Sequence, residues 1–282
     1  KSFRDLLLMD PENIFTSSNS PYQIFTYFYK KCKKIGVVDY PQKNKHHNYV
    51  ESKLDLSKPI TKFKSLDKKT ISTRITGSRK ACDEILESLS KYTNYEIERD
   101  YPALDATTHL SAYLKFGICS PREVYHQIKK QIGSDHPLIR QLFWREFYIY
   151  IAYHYPHVFK HAFHRKYDQI VWSENKEKLQ AWKEGKTGFP IVDAGMRELA
   201  ETGYMHNRIR MVVASFLVKD LQINWREGEK HFRNYLVDWD LSVNNGNWQW
   251  SASTGCDAQP YFRIFNPWSQ QKKYDKECKY IK

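Results

Sequence analysis

"DLSVNNGNWQWSASTG", residues 240–255, neither alternates like a strand nor repeats like a helix. It sets Asn244, Asn245, Gly246 and Asn247 beside Trp248 and Trp250. Large rings are costly to leave in water, and an Asn-Asn-Gly run is costly to bury without partners. The stretch reads as a loop, and its residues alone leave open what needs both kinds of group at once. Outward from it the chain reads as helix after helix: 226–236, 207–223, 190–203 and 173–185. A longer helix opens at His136-Pro137 and ends at Pro156, with Leu138, Leu142, Phe147 and Ile151 at helical spacing. Ser120-Pro121 with Glu123 gives an N-cap, a first-turn proline and a capping box, and that helix should stop at Gly133. Residues 22–32 read as a short aromatic helix. With no series of alternating strands and no internal repeat, the expected fold is all-α.

Composition narrows the function. The formal net charge is +13, which favours anionic partners such as nucleic acid or an anionic membrane surface. Aromatic residues make up 15% of the 282, enough for a large core and for stacking surfaces besides. No apolar run is long enough to span a bilayer, and "KSFRDLLLMD" is not a secretory signal. Cys32, Cys82, Cys119, Cys256 and Cys278 are scattered and odd in number, as for reduced intracellular thiols. The first residue is not Met, so the chain is expected to be a fragment or a processed product. Residues 1–20 look like the end of something preceding, 21–80 like a connection with one short helix, and 81–282 like the helical body. Within this, 41–80 is polar, Lys-rich and read as surface.

Dinucleotide, P-loop and nucleophile-elbow motifs are all absent. His154, His157, His161 and His164 have spacings a metal could use, but without a Cys or carboxylate at ligand spacing no metal is expected. In "DATTHLSAYLKFG", Thr107, Thr108 and Ser111 gather at an expected helix start, where free N–H groups and hydroxyls suit a phosphate. Taken alone, ordinary helix capping is the better explanation of them. "LFWREFY" puts Trp144, Arg145 and Glu146 on a helix, and "GYMHNRIRM" offers Asn207, Arg208 and Arg210. Alone, the first is core plus a charge pair, while the Arg and Asn side chains of the second can read phosphates and base edges.

Taken in order, Tyr95, the hydroxyl-rich segment, W-R-E-F, Trp172, "MHNRIRM", Trp225, "DWDLSVNNGNWQW" and "PYFRIFNP" resemble the photolyase/cryptochrome family. The likeness is to the flavin-binding catalytic domain, nearest the cyclobutane pyrimidine dimer branch. It runs from about Pro21 to the end and is densest from Phe189 to Asn266. The resemblance implies a helical FAD-binding domain without the N-terminal α/β antenna domain; residues 1–20 would be the remnant of that domain's end. It implies non-covalent FAD contacted by Tyr95, Thr107, Thr108, His109, Leu110, Ser111, Arg210, Asp238, Trp239, Asp240 and Asn244. Arg210 would pair with Asp238, and Asn244 would face flavin N5. Trp248, Trp225 and Trp172 match electron-hopping tryptophans, a catalytic set with Asn244. Trp144 and Trp250 match walls of a lesion pocket, with Gln141, Arg145, Asn207, Arg208, Met211 and Gln270 as further lesion or DNA contacts.

The implied activity is light-driven repair of pyrimidine dimers in damaged DNA by electron transfer from excited, fully reduced FAD, with no net redox change. Photolyases are among the base-flipping enzymes, and a dimer that stacks poorly is cheap to extrude. The expected protein is a monomer, intracellular and with DNA in cytoplasm or nucleus. It would have no membrane partner and no antenna pigment in this chain; a separate polypeptide could carry the antenna domain. Three features depart from the pattern. Gln141 stands where dimer-repair relatives often carry Glu, His109 where the family carries Arg or Lys, and relatives continue for several helices beyond residue 282. The alternatives are a (6-4) photolyase, a cryptochrome-like photoreceptor and an inactive DNA-binding remnant. His206-Asn207 in place of His-His speaks against the first, and the lack of a long C-terminal extension against the second.

Overall fold

A computed structural model describes residues 6–38 and 75–282. The polar connection expected at 41–80 lies outside the described residues apart from its last few. Among the described residues the fold is all-α, and its one sheet-like feature is an isolated parallel bridge between Ser173 and Ile223. The helices in chain order are α1 (Phe25–Ile35), α2 (Arg79–Glu87), α3 (Tyr95–Glu98), α4 (Leu110–Lys115), α5 (Pro121–Gln131) and α6 (Pro137–His154). Then follow α7 (Lys176–Lys183), α8 (Pro190–Thr202), α9 (Asn207–Ser215), α10 (Trp225–Tyr235), α11 (Leu241–Ala252) and α12 (Pro267–Tyr274).

Helix α6 is the spine of the first half. His136 caps it by accepting from the Leu138 N–H at 3.3 Å, with Pro137 in the first turn. Buried residues occur nearly all round it, from Leu138 and Ile139 to Ile151 and Ala152, as expected of a central helix. Leu8, Met9 and Ile14 share its core with Phe25, Phe28 and Phe147. Glu146 is buried there and accepts the Leu8 and Met9 N–H groups at 3.0 Å each. Burial pushes its carboxyl up to about 7, against the pull of those two donors.

A second core gathers α7 to α11 around Trp182, Met196, Ile209, Val213, Leu217, Phe232 and Trp248. Helix α11 joins the two cores, packing against α6 on one side and α10 on the other.

Three expected boundaries shift. Residues 240–255 are not a loop: 241–252 are helical. The composition is poor for a helix, and tertiary packing overrides it. Asp240 caps the helix, accepting from Ser242 and Val243 N–H at 3.0 Å each. Gly246 lets the Tyr148 ring lie against the backbone, where a Cβ would sit 2.2 Å from Tyr148 Cδ1. Asn245 and Gln249 find partners inside, donating to the Val158 carbonyl at 3.1 and 2.9 Å. The first helix starts at Phe25 rather than residue 22, with Ile24 extended before it at φ −122° and ψ 123°; the Tyr22 N–H bonds the Tyr150 hydroxyl at 3.0 Å. The helix expected over 207–223 turns π-helical at Phe216–Asp220 and stops, since Gln222 adopts φ +56° and frees Ile223 for its bridge.

Candidate functional site

The turn between α10 and α11 carries the D-x-D pair. Asp238 is nearly buried, with its side chain 4% exposed, and its Oδ2 pairs with Arg210 Nη2 at 2.9 Å. Arg210 comes from α9 and is itself anchored, its Nε donating to the Met205 carbonyl at 2.7 Å. The other Asp238 oxygen, Oδ1, is buried with no partner among the described residues. Asp240 is committed to capping α11, and Lys115 Nζ approaches its Oδ2 at 4.0 Å. The same ammonium lies 5.3 Å over the Trp239 ring. Asn244 is buried, and its amide nitrogen donates to Glu229 Oε1 at 3.1 Å; Trp239 Nε1 reaches the same oxygen at 3.4 Å. Glu229, on α10, thus orients two expected cofactor residues, and nothing in its sequence context singled it out.

The hydroxyl-rich segment stands nearby. His109 takes a left-handed conformation, φ +52°, just before α4, and Thr108 Oγ1 accepts from the Leu110 N–H at 3.4 Å. Ser111 is exposed. His109 Nε2 is 3.0 Å from Asp105 Oδ1, and its ring lies 4.9 Å from that of Tyr204. Arg210 crosses the other way, 5.5 Å over Tyr204. Tyr204 therefore joins the 107–111 segment to the Arg210–Asp238 pair. Tyr95 is buried and is flanked by Arg99 at 5.7 Å.

His206 caps α9, its Nδ1 accepting from the Arg208 N–H at 3.1 Å, so Nε2 bears the proton of the neutral ring. Burial holds its pKa down at about 4, and the charges of Arg210, His109 and Arg208 add to this against Asp100. Burial likewise lowers His231 to about 4. Unfolded histidine titrates near 6.5, so between about pH 4 and 6.5 the unfolded chain binds more protons. Stability from these groups is therefore lost as pH falls through that window. His206→Asn keeps a capping acceptor and removes one titration. Chemical denaturation as a function of pH should show the slope reduced by up to about 1.4 kcal/mol per pH unit. An unchanged slope would contradict the neutral, buried assignment.

The expected lesion-pocket residues are divided among several contacts. Trp144 stacks on Phe25 at 3.6 Å between centroids and 6° between planes, with Tyr148 on the same helix 5.9 Å away. Trp250 instead faces Phe265 at 6.4 Å. The structure gives each ring its own partner rather than pairing the two. Gln141 donates back to the Pro137 carbonyl at 3.4 Å, and Arg145 to the Leu6 carbonyl at 2.9 Å. Arg208 pairs with Asp100 at 2.6 Å and lies 4.4 Å over Tyr274. Asn207 is exposed and reaches Met211 Sδ at 3.8 Å. Gln270 is half-buried on α12, and its Oε1 has no partner among the described residues.

Of the three expected hopping residues, Trp248 and Trp225 are 2% exposed and Trp172 is half-buried. Trp248 lies directly on α10 at Gly228, one turn from Trp225. Trp172 is brought toward Trp225 by the Ser173–Ile223 bridge. Trp182, which the sequence reading passed over, touches Trp248 at 6.2 Å between centroids.

Comparison with known proteins gives this arrangement its class. The family profile described as "FAD binding domain of DNA photolyase" matches residues 138–282, and the chain belongs to that family. It is 40% identical over its whole length to the deoxyribodipyrimidine photo-lyase of Buchnera aphidicola subsp. Acyrthosiphon pisum, covering 60% of that protein. Over 67% of its length it is 51% identical to that of Escherichia coli K12, covering 41% of it. A crystal structure of an archaeal photolyase from Sulfolobus tokodaii with two FAD molecules superposes with a TM-score of 0.84 at 41% identity, over 99% of this chain and 60% of that one. A Synechocystis cryptochrome superposes at 0.79 with 28% identity, over 98% and 60%. The chain thus spans about 60% of the length of most of these relatives.

The residues present fit FAD. Asp238 Oδ1 is a buried acceptor without a donor among the described residues, and a flavin ring N–H would satisfy it. His109 Nδ1, in the 107–111 segment, is a buried nitrogen without a partner among the described residues, which suits a phosphate oxygen. No helix among the described residues is long and apolar enough to cross a membrane, and no group of three or more potential metal ligands occurs among them.

Proposed function

We propose that the chain is the catalytic part of a light-driven enzyme that repairs cyclobutane pyrimidine dimers in DNA. The observation that carries the reading is the layout of α11. Asn244 and Trp248, four residues apart, share one face, buried against α10; Trp250, two residues on, points about 200° away. One helix can thus present groups to a cofactor on one side and a stacking ring on the other.

FAD, when bound, supplies the photochemical electron. Arg210 and Asp238 hold the ring end, with Asn244 kept in place by Glu229 and with Trp239 and Asp240 beside it. Tyr95, Thr107, Thr108, His109, Leu110 and Ser111 hold the other end. Arg210 occupies one Asp238 oxygen and leaves the other free to accept a hydrogen bond. Trp248, Trp225 and Trp172 form a route by which electrons reach the buried site from outside. Trp144, already stiffened by Phe25, and Trp250 would stack against an extruded pyrimidine pair. Gln141, Arg145, Asn207, Arg208, Met211 and Gln270 would make the further contacts to the lesion or to DNA. The net charge of +13 favours binding to the DNA backbone.

A single substitution separates lesion recognition from general DNA affinity. Trp144→Ala should weaken binding to a dimer-containing duplex by about 1–3 kcal/mol, the usual cost of losing one aromatic stacking platform. Binding to undamaged duplex should hardly change at matched salt. Equal losses on both duplexes, measured by fluorescence anisotropy, would make Trp144 a scaffold residue.

A further inference from the structure

Trp225 opens α10, buried, and the next residue folds back over it. The Arg226 guanidinium carbon lies 4.6 Å from the Trp225 ring centroid. Its Nη2 is 3.2 Å from Asp168 Oδ1 and 3.2 Å from the Lys160 carbonyl oxygen. Asp168 is itself fixed: it accepts from the Ala162 N–H at 2.8 Å, and His161 Nδ1 and Arg165 Nε lie 3.1 and 3.5 Å away. The Arg226 backbone N–H bonds the Asn224 capping oxygen at 3.0 Å. The cation is thus held over the ring from α10 and from the 160–168 segment.

A cation over a neutral indole is attracted to its π face. Once that indole has lost an electron the interaction reverses sign, and two like charges at this separation repel strongly in a partly buried setting. A fixed guanidinium therefore makes Trp225 harder to oxidise. Trp172 is half-buried, so water can screen a positive charge there and accept the indole proton.

We propose that Arg226, clamped by Asp168, is a positioning residue for electron transfer. It raises the oxidation potential of Trp225 so that an electron vacancy passes through that ring and comes to rest on Trp172. The inference rests on the reading of Trp248, Trp225 and Trp172 as an electron route. Trp248 gives one electron to the oxidant, a photoexcited oxidised flavin. Trp225 refills Trp248, and Trp172 refills Trp225. At the end the flavin has gained one electron, Trp172 has lost one, and the Trp172 indole N–H proton has gone to water.

The test is laser-flash transient absorption on the chain loaded with oxidised FAD, reading the yield of long-lived, deprotonated indole radical. Arg226→Gln should cut that yield about tenfold, because the vacancy lingers on Trp225 and returns inward. Arg226→Lys keeps the charge while losing the two-pronged grip on Asp168 and Lys160, and should stay within about twofold of wild type. Equal losses for Gln and Lys would mean a structural role and would overturn the proposal. Trp225→Phe separates the proposal from the reading beneath it. If Trp225→Phe abolishes the signal and Arg226→Gln leaves it intact, the proposal fails and the route stands. If Trp225→Phe leaves the signal unchanged, both fall. FAD occupancy, measured by absorbance, must match across the variants.

Discussion

Arg210→Ala should cost about 3–5 kcal/mol of stability and release FAD. The substitution strands the Asp238 carboxylate, 4% exposed, with no other cation bonded to it among the described residues. Removing one partner of a buried pair leaves an uncompensated charge, the expensive way to break such a contact. Arg210 also ties α9 to the Met205 carbonyl, so the turn that presents Asp238 would loosen as well. Asp238→Asn should be milder, because it removes the charge and leaves a neutral amide in its place. Denaturant unfolding gives the stability term, and flavin absorbance after gel filtration gives retention. A loss below about 1 kcal/mol with FAD retained, the range of an exposed pair, would show that this one organises nothing.

Gly228→Ala should cost about 1–3 kcal/mol and displace the tryptophan nearest the proposed flavin position. A Cβ at residue 228 would sit 2.1 Å from Trp248 Cη2, 2.4 Å from its Cζ3 and 2.7 Å from Leu217 Cδ2. Trp248 cannot swing aside, since Phe232 stands 5.0 Å and Trp182 6.2 Å from it between centroids. Near-ultraviolet circular dichroism should lose tryptophan signal, and flavin photoreduction should slow. An unaltered spectrum and melting temperature would mean that the α10–α11 contact has room to spare.

The sequence made the capped helices legible. His136-Pro137 and Ser120-Pro121 mark starts that the structure reproduces, because a side-chain oxygen or nitrogen and a fixed φ act locally. Helix α11 was not legible, because its stability is not local. Asn245 and Gln249 are tolerable in a helix only because the Val158 carbonyl awaits them, and Gly246 only because Tyr148 fills its place.

The same limit applied to the site. Resemblance supplied Arg210, Asp238 and Asn244, and the Arg210–Asp238 pairing it implied is present at 2.9 Å. It did not supply Glu229 beneath Asn244, Phe25 against Trp144, or Asp100 and Tyr274 holding Arg208. Each of these lies on a separate element and meets its partner only after folding. Periodicity encodes which face of a helix is apolar, but not which distant ring will lie on it.

The most direct measurement is repair itself. The chain, loaded with FAD and chemically reduced, is mixed with an oligonucleotide containing one cyclobutane pyrimidine dimer and then illuminated or kept dark. Repair in the light with none in the dark, over many turnovers per flavin and with no net consumption of reductant, is the predicted result. FAD bound and dimer DNA bound, yet no light-dependent loss of dimers, would contradict it.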